Sequence, residues 1–269
     1  MLVEFTKMNG AGNDFVLIDN RNRKLSLLPE QIAGLCNRQK AIGADGLILL
    51  ENSSSGKADF AWKFYNSDGS EAEMCGNGAR CFARFIRQLT GREDRIAFET
   101  ISGIIHAEFV GQLVKVSLTT PTDLRLGMDL SWEGESRKVH FINTGVPHAV
   151  HFVDQIDSIP VQKWGASLRN HDQFSPKGTN VNFVQVLNAH SIRVRTYERG
   201  VEGETLACGT GVTASALITA RVFEQPSPVS VTTQGGDTLQ VGFTWTGESF
   251  KDVTLTGPAE VSFTGQIEI

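Results

Sequence analysis

The chain has 269 residues, of which 40% are hydrophobic and 20% charged, and it carries a formal net charge of −5. That balance excludes a disordered or fibrous chain, and the acidic excess argues against a nucleic-acid partner, which would need clustered Lys and Arg. The length is comfortable for two domains, each large enough to bury its own core.

Residues 1–13 lack the basic, apolar and small-residue succession of a secretory leader, and no apolar run reaches the length of a membrane span. The expectation is a cytoplasmic protein without membrane contact. Pro29 opens a helical stretch over 29–38 that carries Ile32, Leu35 and Cys36 on one side and reads as scaffold. The clearest helix of the first half runs over 75–89. Phe82, Phe85, Ile86 and Leu89 recur there at helical spacing, Arg80, Arg84 and Arg87 fall on another face, and Gly91 supplies a stop. Alternating apolar and polar residues over 113–118, 191–197 and 229–241 predict strands, and strands are expected to outnumber helices. Pro121, Asp123 and Gly127 mark 119–130 as the crossing between two halves. Residues 212–223 are apolar or small on nearly every side, which suits a helix wrapped by a sheet.

The four cysteines, Cys36, Cys75, Cys81 and Cys208, form no CxxC pair and have no histidine at zinc spacing. Reduced thiols and no bound metal are the expectation. Two of them share a setting: Cys75-Gly76-Asn77-Gly78 and Cys208-Gly209-Thr210-Gly211 each open a helix-like apolar run, about half a chain length apart. An isolated cysteine is most often a small buried hydrophobe, and Cys36 and Cys81 read that way. The duplicated CGxG context points elsewhere. A helix start offers unpaired backbone N–H groups and the positive end of the dipole, which stabilise a thiolate and bind an anion. The glycines let the main chain approach a ligand closely. A substrate carboxylate held by the residues after each sulfur, Gly76 and Asn77 in one copy and Gly209 and Thr210 in the other, would be stabilised as charge develops during proton removal from its neighbouring carbon. Two thiols on opposite sides of that carbon would invert it, one removing a proton and the other delivering one, in a pocket between the halves. Without substrate such sulfurs could close into an inactivating disulfide.

The run from Asn66 to Arg80, NSDGSEAEMCGNGAR, resembles the signature of the diaminopimelate epimerase family. Met8-Asn9-Gly10-Ala11-Gly12-Asn13-Asp14-Phe15 is similar to the family's N-terminal motif. Tyr197-Glu198-Arg199-Gly200, followed by Glu204-Thr205-Leu206-Ala207-Cys208-Gly209-Thr210-Gly211, is similar to its second catalytic segment. With Gly145-Val146-Pro147-His148 and Asn180-Val181-Asn182-Phe183, the resemblance covers essentially the whole chain. It implies an α/β (α+β) fold of two pseudo-symmetric halves, each a curled, mainly antiparallel sheet around a central helix, with the active site in the cleft between them. The halves are expected over 1–118, rejoined by 260–269, and over 119–259. The activity implied is a cofactor-independent interconversion of LL- and meso-2,6-diaminopimelate, on the route to lysine and peptidoglycan precursors, by a homodimer.

By the same resemblance Cys75 and Cys208 are acid and base, His148 stands beside Cys75, and Glu198 stands beside Cys208, each able to exchange a proton with its thiol. Asn13, Asn66, Asn180 and Arg199 match residues that hold the substrate, the last three mainly at its distal end, where Arg grips a carboxylate bidentately and Asn offers donor and acceptor together. Two positions depart from the family pattern: Val146 stands where members commonly have Asn, and Gly46 where some have Gln. These weaken the distal contacts and keep open a racemase of another amino acid such as histidine; a non-catalytic amino-acid-binding protein on the same fold is the alternative from another class.

Overall fold

Short apolar alternations broken by glycine, asparagine and aspartate turns become strands here, and the chain is mostly sheet with a few helices. A computed structural model describes residues 1–72 and 74–269; Glu73, within the signature quoted above, lies outside the described residues. In chain order the elements are β1 (Leu2–Gly10), β2 (Asn13–Asp19), α1 (Pro29–Cys36), β3 (Gly46–Asn52), β4 (Phe60–Asn66), α2 (Gly76–Thr90), β5 (Ile96–Thr100), β6 (Gly103–Val110) and β7 (Leu113–Ser117). There follow β8 (Thr122–Trp132), β9 (Glu135–Asn143), β10 (Pro147–Phe152), α3 (Val161–Arg169), β11 (Asn180–Asn188), β12 (Ser191–Glu198) and β13 (Gly203–Thr205). The remainder is α4 (Gly209–Val222), β14 (Val229–Thr232), β15 (Thr238–Trp245), β16 (Phe250–Gly257) and β17 (Glu260–Glu268). Two compact units result, one of 1–117 with 257–269 and one of 118–256. The change of unit falls just after β7, and much of 119–130, read from its turn residues as a crossing, is already strand β8.

In the first unit β1 pairs antiparallel with both β2 and β17, β2 runs parallel to β3, and β3 is antiparallel to β4. Strand β2 is buried on both faces, so its core reads as an unbroken Phe15-Val16-Leu17-Ile18 run. Val16 and Ile18 join Ile32 and Leu35 of α1 in one cluster. On the other side α2 packs against β1, β2, β3, β6 and β7. Its Phe82 meets Trp62 and Phe98 edge-on, with centroids 5.8 and 4.9 Å away, and those two rings meet each other tilted at 5.7 Å. The helix ends as expected on Gly91, at φ 69°, whose N–H donates to Arg87 O over 2.8 Å.

Two residues of α2 depart from the expected faces. Leu89, assigned to the apolar stripe, lies in the last turn of the helix and is 42% exposed. Arg80, grouped with Arg84 and Arg87, is fully buried. A buried guanidinium costs several kcal/mol unless its donors are used, on the order-of-magnitude scale for buried ions. Arg80 donates to the backbone oxygens of Gly10, Gly76 and Pro258 and to Asn77 Oδ1.

In the second unit β9 and β10 pair antiparallel, β10 and β11 parallel, and β11 and β12 antiparallel. One face of these strands packs on α3 through Val139, Phe141, Val181, Phe183, Tyr197, Val161 and Leu168. Helix α3 has no counterpart among the expected elements. Helix α4 packs against β9, β10, β11, β12, β14 and β15, wrapped on every side as its composition predicts. Its buried hydroxyls bond back one turn: Thr213 to Gly209 O, Ser215 to Gly211 O and Thr219 to Ser215 O, at 2.7 to 2.8 Å. Among the described residues no helix is long and apolar enough to cross a membrane.

Candidate active site

In the first unit Cys75 is the N-cap residue of α2. Its extended backbone turns the sulfur back over the first turn, where Sγ accepts the Gly78 N–H at 3.4 Å. Sulfur there meets both a donor and the positive end of the helix dipole, the two features that favour thiolate. Gly76 and Asn77 follow as the buried first residues of the helix.

Asn77 is oriented rather than merely enclosed. Arg80 can only donate, so Asn77 Oδ1 accepts from it at 2.9 Å, and Asn77 Nδ2 donates to Asn13 Oδ1 at 2.5 Å. Asn13 Nδ2 donates in turn to the Asp45 carboxylate at 3.0 Å. The run starts at a cation and ends at an anion, which gives every amide in it one sense. Asp45 and Asp14 are both gripped by Arg38, at 2.7 to 2.9 Å, and Lys7 pairs with Asp14 at 2.9 Å. Burial alone would raise the Asp14 carboxyl, but hydrogen bonds from Arg38 and Lys7 outweigh it and hold the group at about 2. Asn66 is exposed at the end of β4, and its Nδ2 donates to Ser70 Oγ in its own turn at 3.0 Å.

The second unit repeats the N-cap position, here without a side-chain cap hydrogen bond. Cys208 is the buried N-cap of α4, its Sγ lies 3.5 Å from Thr210 Oγ1, and the Thr210 carbonyl accepts from Thr144 Oγ1 at 3.0 Å. His148 is fully buried on β10, opposite Ile142 of β9 and Asn180 of β11. Burial, and secondarily the charge of Arg199, push its imidazole down to about 3, so it is neutral at physiological pH. Asn180 joins the neighbouring segments: its Nδ2 donates to Pro147 O at 3.1 Å, and its Oδ1 accepts the Arg199 N–H at 2.8 Å. Arg199 Nη1 donates to Lys177 O at 3.2 Å, and Glu198, half-buried, ends β12.

Within the first unit, then, Asn13 and Asn77 are joined directly, while Asn66 bonds in its own turn. Within the second, His148, Asn180 and Arg199 gather on the adjoining ends of β10, β11 and β12. Three participants were not singled out from sequence. Asp45 and Arg80 anchor the amide run at either end, and Asn182, fully buried, bonds to His148 Nδ1 at 3.2 Å. Asn182 had a readable signal, since the two-residue period of β11 places it on the face of Asn180. Cys36 and Cys81 are packing residues: burial pushes their thiols up to about 11 and about 12.

A family model described as diaminopimelate epimerase matches residues 5–122 and 140–261. Among curated proteins, the diaminopimelate epimerase of Aquifex aeolicus is 45% identical over 276 residues, covering 98% of each chain. That of Chlorobaculum tepidum is 40% identical, covering 97% of this chain and all of the relative. Solved structures share the fold at low identity. A Bacillus anthracis phenazine biosynthesis protein of the PhzF family superposes with a TM-score of 0.77 at 14% identity over the full length of both chains. A hydroxyproline epimerase from Agrobacterium vitis superposes with a TM-score of 0.72 at 17% identity, covering 99% of this chain and 92% of that one.

Proposed function

The chain belongs to the diaminopimelate epimerase family, and from that premise we propose that it interconverts LL- and meso-2,6-diaminopimelate by a two-thiol mechanism carried by Cys75 and Cys208. The enzyme class, an amino-acid epimerase in the biosynthesis of lysine and peptidoglycan precursors, follows from membership alone. The two-thiol assignment rests on one observation: each cysteine, in its own unit, is the N-cap residue of a helix that begins Gly-x-Gly.

In the proposed step a thiolate takes the α-proton, breaking C–H and forming S–H. The opposite thiol then gives its proton to the other face of the carbon. Electron density passing into the α-carboxylate is stabilised by the first-turn N–H groups of Gly76, Asn77, Gly209 and Thr210. His148 and Glu198 assist the two sulfurs. Asn13, Asn66, Asn180 and Arg199 hold the amino-acid substrate, with Arg199 suited to a distal carboxylate. The chemistry needs no cofactor. Family resemblance also supports a cytoplasmic homodimer.

The test follows LL-diaminopimelate in heavy water. The wild-type protein is expected to place one deuterium at the inverted α-carbon, and Cys75→Ala and Cys208→Ala each to lose inversion by about 10³-fold or more, near the upper range for general acid–base groups. Full inversion in either variant overturns the assignment. Turnover of histidine in preference to diaminopimelate would overturn the substrate.

A further inference from the structure

The contacts of His148 define its protonation pattern more sharply than its burial does. Asn182 lies behind the imidazole, on the strand paired in parallel with that of the histidine. Its Nδ2 donates to Ala149 O at 3.0 Å and faces His148 Nδ1 at 3.2 Å, while its Oδ1 accepts from Thr196 Oγ1 at 2.9 Å. A backbone carbonyl only accepts, so the amide nitrogen must occupy the side it does; a flipped amide would set two acceptors against each other. Gly211 makes this placement fit, because a Cβ there would lie 2.4 Å from Asn182 Oδ1. The second glycine of the Cys208 motif thus gives room to an amide that serves the histidine.

Resting on the reading of His148 as a participant in the epimerisation, we propose that Asn182 is a positioning residue that fixes His148 as the tautomer protonated on Nε2, so that the histidine serves a reacting sulfur as hydrogen-bond donor and not as proton acceptor. A donor facing Nδ1 requires a lone pair there, so the single ring proton sits on Nε2. Among the described residues Nε2 has no hydrogen-bond partner although it is buried, which is a costly condition for a donor unless the reaction employs it. The charge that acts on the ring is that of Arg199, and it opposes a second proton. In the chemical step His148 therefore ends as it began: the sulfur it serves carries the reacting proton, and Nε2–H stabilises that sulfur only while it is a thiolate, before it takes the proton from carbon or after it has given one up.

Long-range proton–nitrogen correlation spectra of the uniformly ¹⁵N-labelled protein test this, with the ring signals assigned by their loss in His148→Gln. The wild-type ring is expected to show a protonated Nε2 and an unprotonated Nδ1, unchanged between about pH 5 and about pH 8. A carboxylate in place of the amide, in Asn182→Asp, turns the donor at Nδ1 into an acceptor. The ring is expected to gain a proton on Nδ1, to titrate, and to lose inversion by about 10²- to 10⁴-fold, the range for a misplaced acid–base proton. A wild-type ring protonated on Nδ1, or one titrating near neutrality, overturns the proposal whether or not the variant folds. Full activity of His148→Gln would instead defeat the role of His148 while leaving the tautomer measurement to stand by itself.

Discussion

At Gly46 the first residue of β3 lies directly opposite Asn66 of β4 and beside Phe15 of β2. A Cβ there would come 2.6 Å from Tyr65 O and 2.7 Å from Phe64 Cε2. The departure from Gln at this position is thus matched to its neighbours, and reinstating the larger side chain is an overpacking change. Gly46→Gln is expected to destabilise the protein by about 1 to 3 kcal/mol, the usual range for added bulk in a packed interior, read as a lower urea midpoint with an unchanged slope. An unshifted midpoint would mean that β4 yields at no cost. Single residues were legible where a local pattern carried them. The N-cap sulfurs and Gly91 belong to that class. Arg80 does not: its acceptors include Gly10 O and Pro258 O, remote in sequence, and helical periodicity places an arginine outside. Asp45 escaped for the same reason, because the register of β2 on β3, not any motif, sets it beside Asn13.

Helices α2 and α4 show what an element contributes beyond its residues. Each is enclosed by strands, so its N-terminal N–H groups cannot all be met by bulk water, and a side chain at the cap sits where the dipole field is least screened. The four cysteines divide accordingly. Cys36 and Cys81 have no such position and are buried, and a thiol at about 11 instead of the ordinary 9.0 has roughly a hundredfold less thiolate near neutrality. Treatment with iodoacetamide near pH 7, followed by peptide mass analysis, is expected to label half-buried Cys75 at least about a hundredfold faster than Cys36 or Cys81, with substrate slowing the reaction. Equal labelling would remove the distinction between cap and core. The element pattern also marks the limit of sequence reading. Helix α2 was legible because one face is plainly apolar and a glycine stops it. Helix α3 was not: its start at Pro160 has no side-chain cap, its buried positions are only Val161, Gly165 and Leu168, and tertiary packing on β11 and β12 supplies what propensity does not.

For the molecule as a whole, buried neutral histidines tie stability to pH. Burial lowers His148 to about 3 and, with the nearby charges of His151 and Lys138, His140 to about 4. Between those values and the ordinary 6.5 the unfolded chain binds protons that the folded chain refuses. Their contribution is therefore complete above about pH 7 and is lost as the pH falls. Each histidine contributes a slope of up to about 1.4 kcal/mol per pH unit over that window, and the Asp14 carboxylate at about 2 adds its own loss only below about pH 4. Urea unfolding measured from about pH 7 to about pH 4 is expected to show this decline, with His140→Gln shallower by about one proton; a slope unchanged by the substitution would remove His140 from the account. The pairing of β1 with β17 has a different consequence. The second unit is one continuous stretch, whereas the first draws a strand from residues 257–269. On the ribosome the later-made portion can settle while the earlier one still waits, the outer edge of β1 exposed, and translation must travel through the entire intervening stretch before that open flank is covered.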